Sequence, residues 1–317
     1  MGNNSKEGSG GTDNGNPTQN DNQYFTDDEW DSVSTPEEIA ELTGWEFTKT
    51  KRGSYQFYDA EHDLTLFIDK TMLSNGFINA KSDGKNNVKV NGNEYGTPEA
   101  KDLRDIVRYV HELPEDNKNA TPAIIFQNHF KTSNLGLHRT TYNTLTGESV
   151  EGHVVVINSS SFRSNVGHSI RRTLLHETDH AIDFMKGTDT RHGDDHLFGI
   201  SSKQSFRDAI NSDVLKNGFK GVSQNSGQYK KGSERYYREC WADAASVVQM
   251  KELGYGNERI KLHNGVVVSV NDWIKMHPNT YEATRRELSS SDISNYGKSS
   301  DYNYLSDYNK KEFKIDV

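Results

Sequence analysis

Apolar and polar residues first alternate and then bunch as the chain is read from its N-terminus. Three runs, WEFTKTK (45–51), SYQFYDA (54–60) and LTLFIDK (64–70), alternate with a period near two and are rich in Thr, Phe and Tyr. Short RG and EHD breaks part them, which is the pattern of β-strands joined by turns. Just before them, TPEEIAELTG (35–44) predicts a short helix, with Thr35 as N-cap, Pro36 in the first helical position and Gly44 as the stop. SDGKNNVKVNGNEYG (82–96) has the composition of loops and hairpins. Residues 32–96 therefore read as a small β-rich region.

Beyond residue 96 the period lengthens. TPEAKDLRDIVRYVHEL (97–113) places Leu103, Ile106, Val107, Val110 and Leu113 on one face, with Thr97 and Pro98 to start it, and predicts an amphipathic helix. PAIIFQNHF (122–130) reads as a strand with a continuous apolar centre, and residues 136–160 read as two strands around a turn at Thr146 and Gly147. RRTLLHETDHAIDFMKG (171–187) belongs to a long helix that Ser164 or Asn165 caps and Gly187 ends. Its apolar residues, Ile170, Leu174, Leu175, Ala181, Ile182, Phe184 and Met185, cover much of the circumference, so burial on most sides is expected. SERYYRECWADAASVVQMKELG (233–254) predicts a second strong helix between Ser233 and Gly254. The expected class is α+β: a mixed sheet with two long helices, preceded by the small β-rich region.

Composition sharpens the boundaries. Only 32% of the 317 residues are hydrophobic, and the polar excess lies at the ends. Residues 1–31 read as a disordered polar tail, 97–288 as the main domain, and 289–317 as a polar, Tyr-rich C-terminal tail. Six of the nine net negative charges lie in the first 31 residues, which leaves a nearly neutral body with no basic footprint for nucleic acid. The pairs Arg171/Arg172 and Lys230/Lys231 read as solvated faces. One cysteine, Cys240, excludes a disulfide framework within the chain and a Cys-type zinc site. No apolar signal segment and no run of membrane-span length is present, so a cytoplasmic, virion-associated or non-classically delivered protein is expected.

The chemistry sits on the two long helices. Residues four apart on a helix share a face, so His176 and His180 can converge on one tetrahedral cation. Glu177 lies one step round, placed to reach a water on that cation rather than to ligate it. A match of this H-E-x-x-H type arises by chance in a chain with 12 His on the order of a few percent of the time. The plain alternative is a pair of histidines satisfied by the core or by solvent. A third ligand is needed. A metzincin continuation fails, because Asp183 and Lys186 stand where Gly and His are required. His192 and His196 in the following loop are candidates. So are Glu239 and Asp243, again four apart on one face, whose plain alternative is a solvated acid pair balanced by Arg235 and Arg238.

HETDH (176–180) followed by RECWADAA (238–245) resembles the gluzincin metallopeptidases, and most of all the anthrax lethal factor-like and Pro-Pro endopeptidase branch. The similarity covers two helices, about 40 residues. It implies a zincin-like domain in which Glu239 is the third ligand and Asp243 supports a ligand histidine; Asp243 or His196 as third ligand stays open. The branch also implies a catalytic tyrosine shortly before the ligand Glu. Gly232 occupies that offset here, which leaves Tyr229, Tyr236 and Tyr237 as the nearby candidates, Tyr229 favoured because it lies in a loop before the helix, with His196 as a substitute and packing as the plain alternative. The resemblance further implies an edge strand before the motif helix that pairs with extended substrate, a role that falls on Val154, Val155 and Val156 in GHVVVINSS, whose plain reading is a core strand.

The resulting expectation is a zinc-dependent metalloendopeptidase with one Zn2+ per chain held by His176, His180 and Glu239, and Glu177 as general base. Its partner is a protein or peptide substrate, with no nucleic acid and no membrane. The polar N-terminal tail suits membership of a larger assembly, such as a phage virion or head component or a delivered effector. The alternative is a zincin-fold structural or binding protein without turnover.

Overall fold

The computed structural model describes residues 24–74, 77–78, 88–90, 93–95, 101–127, 135–143, 149–158, 161, 169–187, 199–217 and 226–290. Order begins earlier than the polar composition suggested. Helix α1 (Asp27–Asp31) carries a capping box between Thr26 and Glu29. Its Trp30 is 1% exposed and packs edge-on against Phe25 and His111. Two aromatic residues at the end of the expected tail are enough to anchor it, since fully burying a large apolar side chain is worth roughly 1.5–3 kcal/mol. Helix α2 (Pro36–Thr43) follows with Thr35 as cap, Pro at its start and Gly44 in the left-handed region at φ 72°, as the sequence predicts.

The main sheet has six strands. β1 (Glu46–Lys49), β2 (Tyr55–Asp59) and β3 (Leu64–Ile68) form an antiparallel meander. Two small sheets come next. One comprises β4 (Leu73–Ser74), β5 (Phe77–Ile78) and β8 (Lys101–Asp102); the other is the hairpin of β6 (Val88–Val90) with β7 (Asn93–Tyr95). Helices α3 (Leu103–His111) and α4 (Glu115–Ala120) lead into β9 (Ala123–Gln127). β10 (Gly136–Asn143) and β11 (Ser149–Asn158) complete the sheet, in the order β1-β2-β3-β9-β11-β10.

Two expectations change here. Residues 32–96 are not a separate unit, because β3 pairs in parallel with β9, which places the N-terminal meander in the same sheet as β9, β10 and β11. The helix expected from Thr97 starts at Leu103, because Lys101 and Asp102 pair with Phe77 and Ile78 instead. Residues 97–100 lie outside the described residues.

The parallel strands are buried on both faces, which explains their unbroken apolar runs. Phe57, Leu66, Ile68, Ile124, Phe126, Val155 and Ile157 meet the helices in the principal core, while Phe67, Ile125, Val154 and Val156 form a second cluster with Leu137 on the other face.

α5 (Ile170–Gly187) packs on the β10 and β11 side of the sheet and against α7 (Glu234–Glu252). Its cap is Ser169, whose Oγ accepts from Arg172 N at 3.2 Å; the expected caps Ser164 and Asn165 lie outside the described residues. α7 is capped by Ser233, as the sequence predicts. α6 (Gln204–Asn217), β12 (Arg259–Lys261), β13 (Val267–Ser269), α8 (Val270–Met276) and α9 (Pro278–Ser289) finish the described fold. The architecture is α+β around one mixed sheet. No described helix is long and apolar enough to cross a membrane. The C-terminal tail lies outside the described residues from residue 291 on.

Candidate metal centre

The two long helices are fixed to each other by polar bonds in the core. Asn117 of α4 donates to Thr178 Oγ1 at 2.7 Å and to Asp179 Oδ1 at 3.1 Å, and accepts from Gln249 Nε2 at 2.7 Å. Trp241 Nε1 donates to Asp179 O at 3.1 Å. These bonds set the rotation of α5 about its axis, and that rotation turns the face carrying Arg172, His176 and His180 toward Glu239 and Asp243 of α7.

One atom of each of His176, His180 and Glu239 lies within 4.8 Å of the others, and among the described residues this is the group that could hold a metal ion. Glu239 Oε2 is 3.3 Å from His176 Nε2 and 3.9 Å from His180 Nε2. Ligand atoms of a tetrahedral ion with bonds of about 2.0–2.1 Å stand about 3.4 Å apart, so the donor set fits such an ion after a small adjustment. The two imidazoles meet edge-on, with ring centres 4.9 Å apart, and do not stack.

Asp243 is on the other side of His176, with Oδ1 3.2 Å from Nδ1. It faces Nδ1 whereas Glu239 faces Nε2, and the group that could hold a cation comprises His176, His180 and Glu239 without Asp243. The contact is close but off the N–H axis, so Nδ1 lacks a well-formed hydrogen bond. His192 and His196 lie outside the described residues.

The electrostatics match the geometry. Burial drives His180 down to about 4, which keeps it neutral at physiological pH, the form that ligates. Burial also works against the charge on His176, but the Asp243 and Glu239 carboxylates outweigh it and hold the ring well above its ordinary range. Without metal, an imidazolium therefore sits between two acids, and a cation taking its place would release that proton. Glu239 is held below the usual carboxylate range: burial pushes it up, but His176 and His180 more than compensate. Burial raises Glu177 to about 7, opposed by His176 and reinforced by Glu239 and Asp243.

Glu177 packs directly on the sheet edge. A Cβ at Gly136 would lie 2.5 Å from Glu177 Cγ and 2.9 Å from Oε1, so the absence of a side chain there admits the carboxyl. Two positions on, on the same strand face, His138 Nε2 lies 3.0 Å from His153 Nδ1 with the rings nearly coplanar.

Two expectations are corrected, the edge strand and the solvated arginine pair. Val154, Val155 and Val156 are not on an edge: β11 is paired on both sides, with β9 and β10, and all three side chains are fully buried. Among the described strands, the sheet edge beside Glu177 is β10. Tyr236 is a core residue with its ring fully buried, and burial, reinforced by Cys240, holds its hydroxyl well above the ordinary phenol range. Arg171 and Arg172 are not a solvated face. Arg171 Nη2 pairs with Glu112 at 2.9 Å and lies over the Tyr255 ring, and Arg172 Nη2 pairs with Asp243 at 3.0 Å. Tyr229 is half-buried under the Arg235 guanidinium, 4.6 Å from its ring centre.

Sequence reasoning missed Gly136, His138 and Arg172. Only Arg172 carried a signal, since it extends the four-residue ladder of His176 and His180 one turn back.

Comparison with protein families, with curated proteins and with solved structures gives no match to this chain. The site is therefore read from its own chemistry.

Proposed function

We propose that this chain is a zinc metalloendopeptidase with a zincin-like, gluzincin-type centre. The observation that carries the reading is the convergence of His176, His180 and Glu239, with the buried Glu177 near them but outside the ligand set. Two neutral-capable imidazoles and one carboxylate are the donor set of a catalytic zinc, which keeps one position open. His176, His180 and Glu239 would hold a zinc, which would supply Lewis-acid polarisation of a water and of the scissile carbonyl.

Glu177 takes the proton of the attacking water and passes it to the leaving amine. A carboxyl raised toward neutrality suits both halves of that transfer. β10, the outer strand among the described residues, would offer main-chain donors and acceptors to an extended peptide and hold the scissile bond alongside Glu177. Asp243 orients His176 through Nδ1.

The test is elemental analysis of the purified protein beside His176→Ala and Glu239→Ala, followed by cleavage of a peptide library. About one zinc per chain, lost in both variants, with cleavage that disappears in Glu177→Gln, is expected. Zinc without any Glu177-dependent cleavage leaves a metal-stabilised binding protein, and the absence of zinc after reconstitution overturns the peptidase reading.

A further inference from the structure

The contacts between α5 and α7 form a ladder. Arg172, His176 and His180 are spaced four residues apart on α5, and Glu239 and Asp243 are four apart on α7. The helices run antiparallel where they meet, so the groups alternate in space: Arg172, Asp243, His176, Glu239, His180. Asp243 Oδ1 is shared, 3.0 Å from Arg172 Nη2 and 3.2 Å from His176 Nδ1. Both the Arg172 and the Asp243 side chains are 3% exposed.

A buried ion pair is a poor device for stability alone, because desolvating two charges offsets most of their attraction. Its strength is orientation. One carboxylate oxygen gripped by a buried guanidinium cannot rotate freely, and the imidazole that leans on the same oxygen is aimed by it.

We propose that Arg172 is a positioning residue of the metal centre: by fixing Asp243 against His176 Nδ1 it sets the direction of His176 Nε2 and thereby the affinity for a divalent cation. This rests on the metal-binding half of the function proposed above, and not on peptide cleavage. Arg172 touches neither the cation nor a substrate.

The experiment is zinc affinity of the full chain, measured by competition with a chromogenic chelator. The proteins are the unaltered chain, Arg172→Gln, Arg172→Lys, Asp243→Asn and the Arg172→Gln/Asp243→Asn double variant. Thermal unfolding of each metal-free protein is recorded in parallel. Arg172→Gln and Asp243→Asn are each expected to weaken zinc binding about 10- to 100-fold, with the double variant no weaker than the worse single one.

Arg172→Lys keeps the charge but not the fork, and is expected to recover part of the affinity. It keeps the test readable if Arg172→Gln does not fold. Unchanged zinc affinity in a folded Arg172 variant overturns the proposal, even if its unfolding temperature falls, because the pair is then structural only. Losses that simply add in the double variant overturn it as well. Failure of the unaltered chain to bind zinc removes this inference together with the proposed function, whereas a zinc-binding chain with an indifferent Arg172 removes the inference alone.

Discussion

Two histidines in this molecule are each held by carboxylates at both ring nitrogens, and they are not equivalent. His62 lies 2.6 Å from Asp59 through Nδ1 and 2.5 Å from Glu115 through Nε2. His176 lies 3.2 Å from Asp243 and 3.3 Å from Glu239. The first spacing is that of short charged hydrogen bonds, which leave no room for anything but a proton. The second is close to the gap between ligands of a common ion, and it comes with a further imidazole, His180, on the same side. A carboxylate–histidine–carboxylate string alone therefore does not mark a candidate metal centre; the wider spacing and the converging third donor do.

The strongest way to sharpen this contrast is through Glu177, which has no counterpart at His62. Glu177→Gln is expected to retain about one zinc per chain while peptide cleavage falls by about 10²–10⁴-fold, read from kcat/KM at constant metal content. Next is metal-linked stability. Zinc at about 100 times its dissociation constant should stabilise the protein by about 2.7 kcal/mol in a calorimetric or denaturant experiment. His176→Ala should erase that gain and His62→Gln should leave it. A gain unaffected by His176→Ala would place the metal elsewhere.

A smaller effect is expected from the sheet edge. In Gly136→Ala the new methyl meets Glu177 at 2.5 Å, so the carboxyl or the strand has to shift at a cost of about 1–3 kcal/mol. Turnover should drop with zinc content unchanged, and an equal loss of zinc would show that the ligands moved as well.

The smallest effect is in pH. Burial opposes the charge on His62, but its bonds to Asp59 and Glu115 raise it from 6.5 to about 9. Its contribution to stability is complete below pH 6.5 and is lost as pH rises through about 9. Glu115, held down to about 2 chiefly by His62, keeps its share above pH 4.5 and loses it as pH falls through about 2. Because Glu115 is half open to solvent, the alkaline loss should be about 1 kcal/mol. Stability curves from pH 6 to 10 should show it in the unaltered chain and not in His62→Gln.

Most of the site's content could be read from spacing, because helical periodicity converts sequence separation directly into a shared face. That is why His176, Glu177, His180, Glu239 and Asp243 were recognisable together. Which strand lies at an edge is a property of the whole sheet. The apolar run at Val154 to Val156 fits a central strand as well as an edge, and only the order of six strands makes β10 the outer one. Tyr236 sits one turn before Glu239 and its ring is fully buried in the core, a burial that spacing alone does not disclose. Arg172 was lost to a compositional habit, since an Arg-Arg pair usually faces water and here both members are buried against acids. Trp30 and the Thr26 to Glu29 capping box show the same limit at the N-terminus, where polar neighbours hid a short anchored helix.

The Arg172–Asp243 contact joins residues 71 apart in the chain. During synthesis the two histidines leave the ribosome well before the helix that completes the set, so a nascent or partly opened chain presents HETDH without a third donor. If the proposed centre binds zinc, cation affinity would report whether α7 has docked, and transfer of zinc from a zinc-responsive dye to this protein would read out completion of the fold.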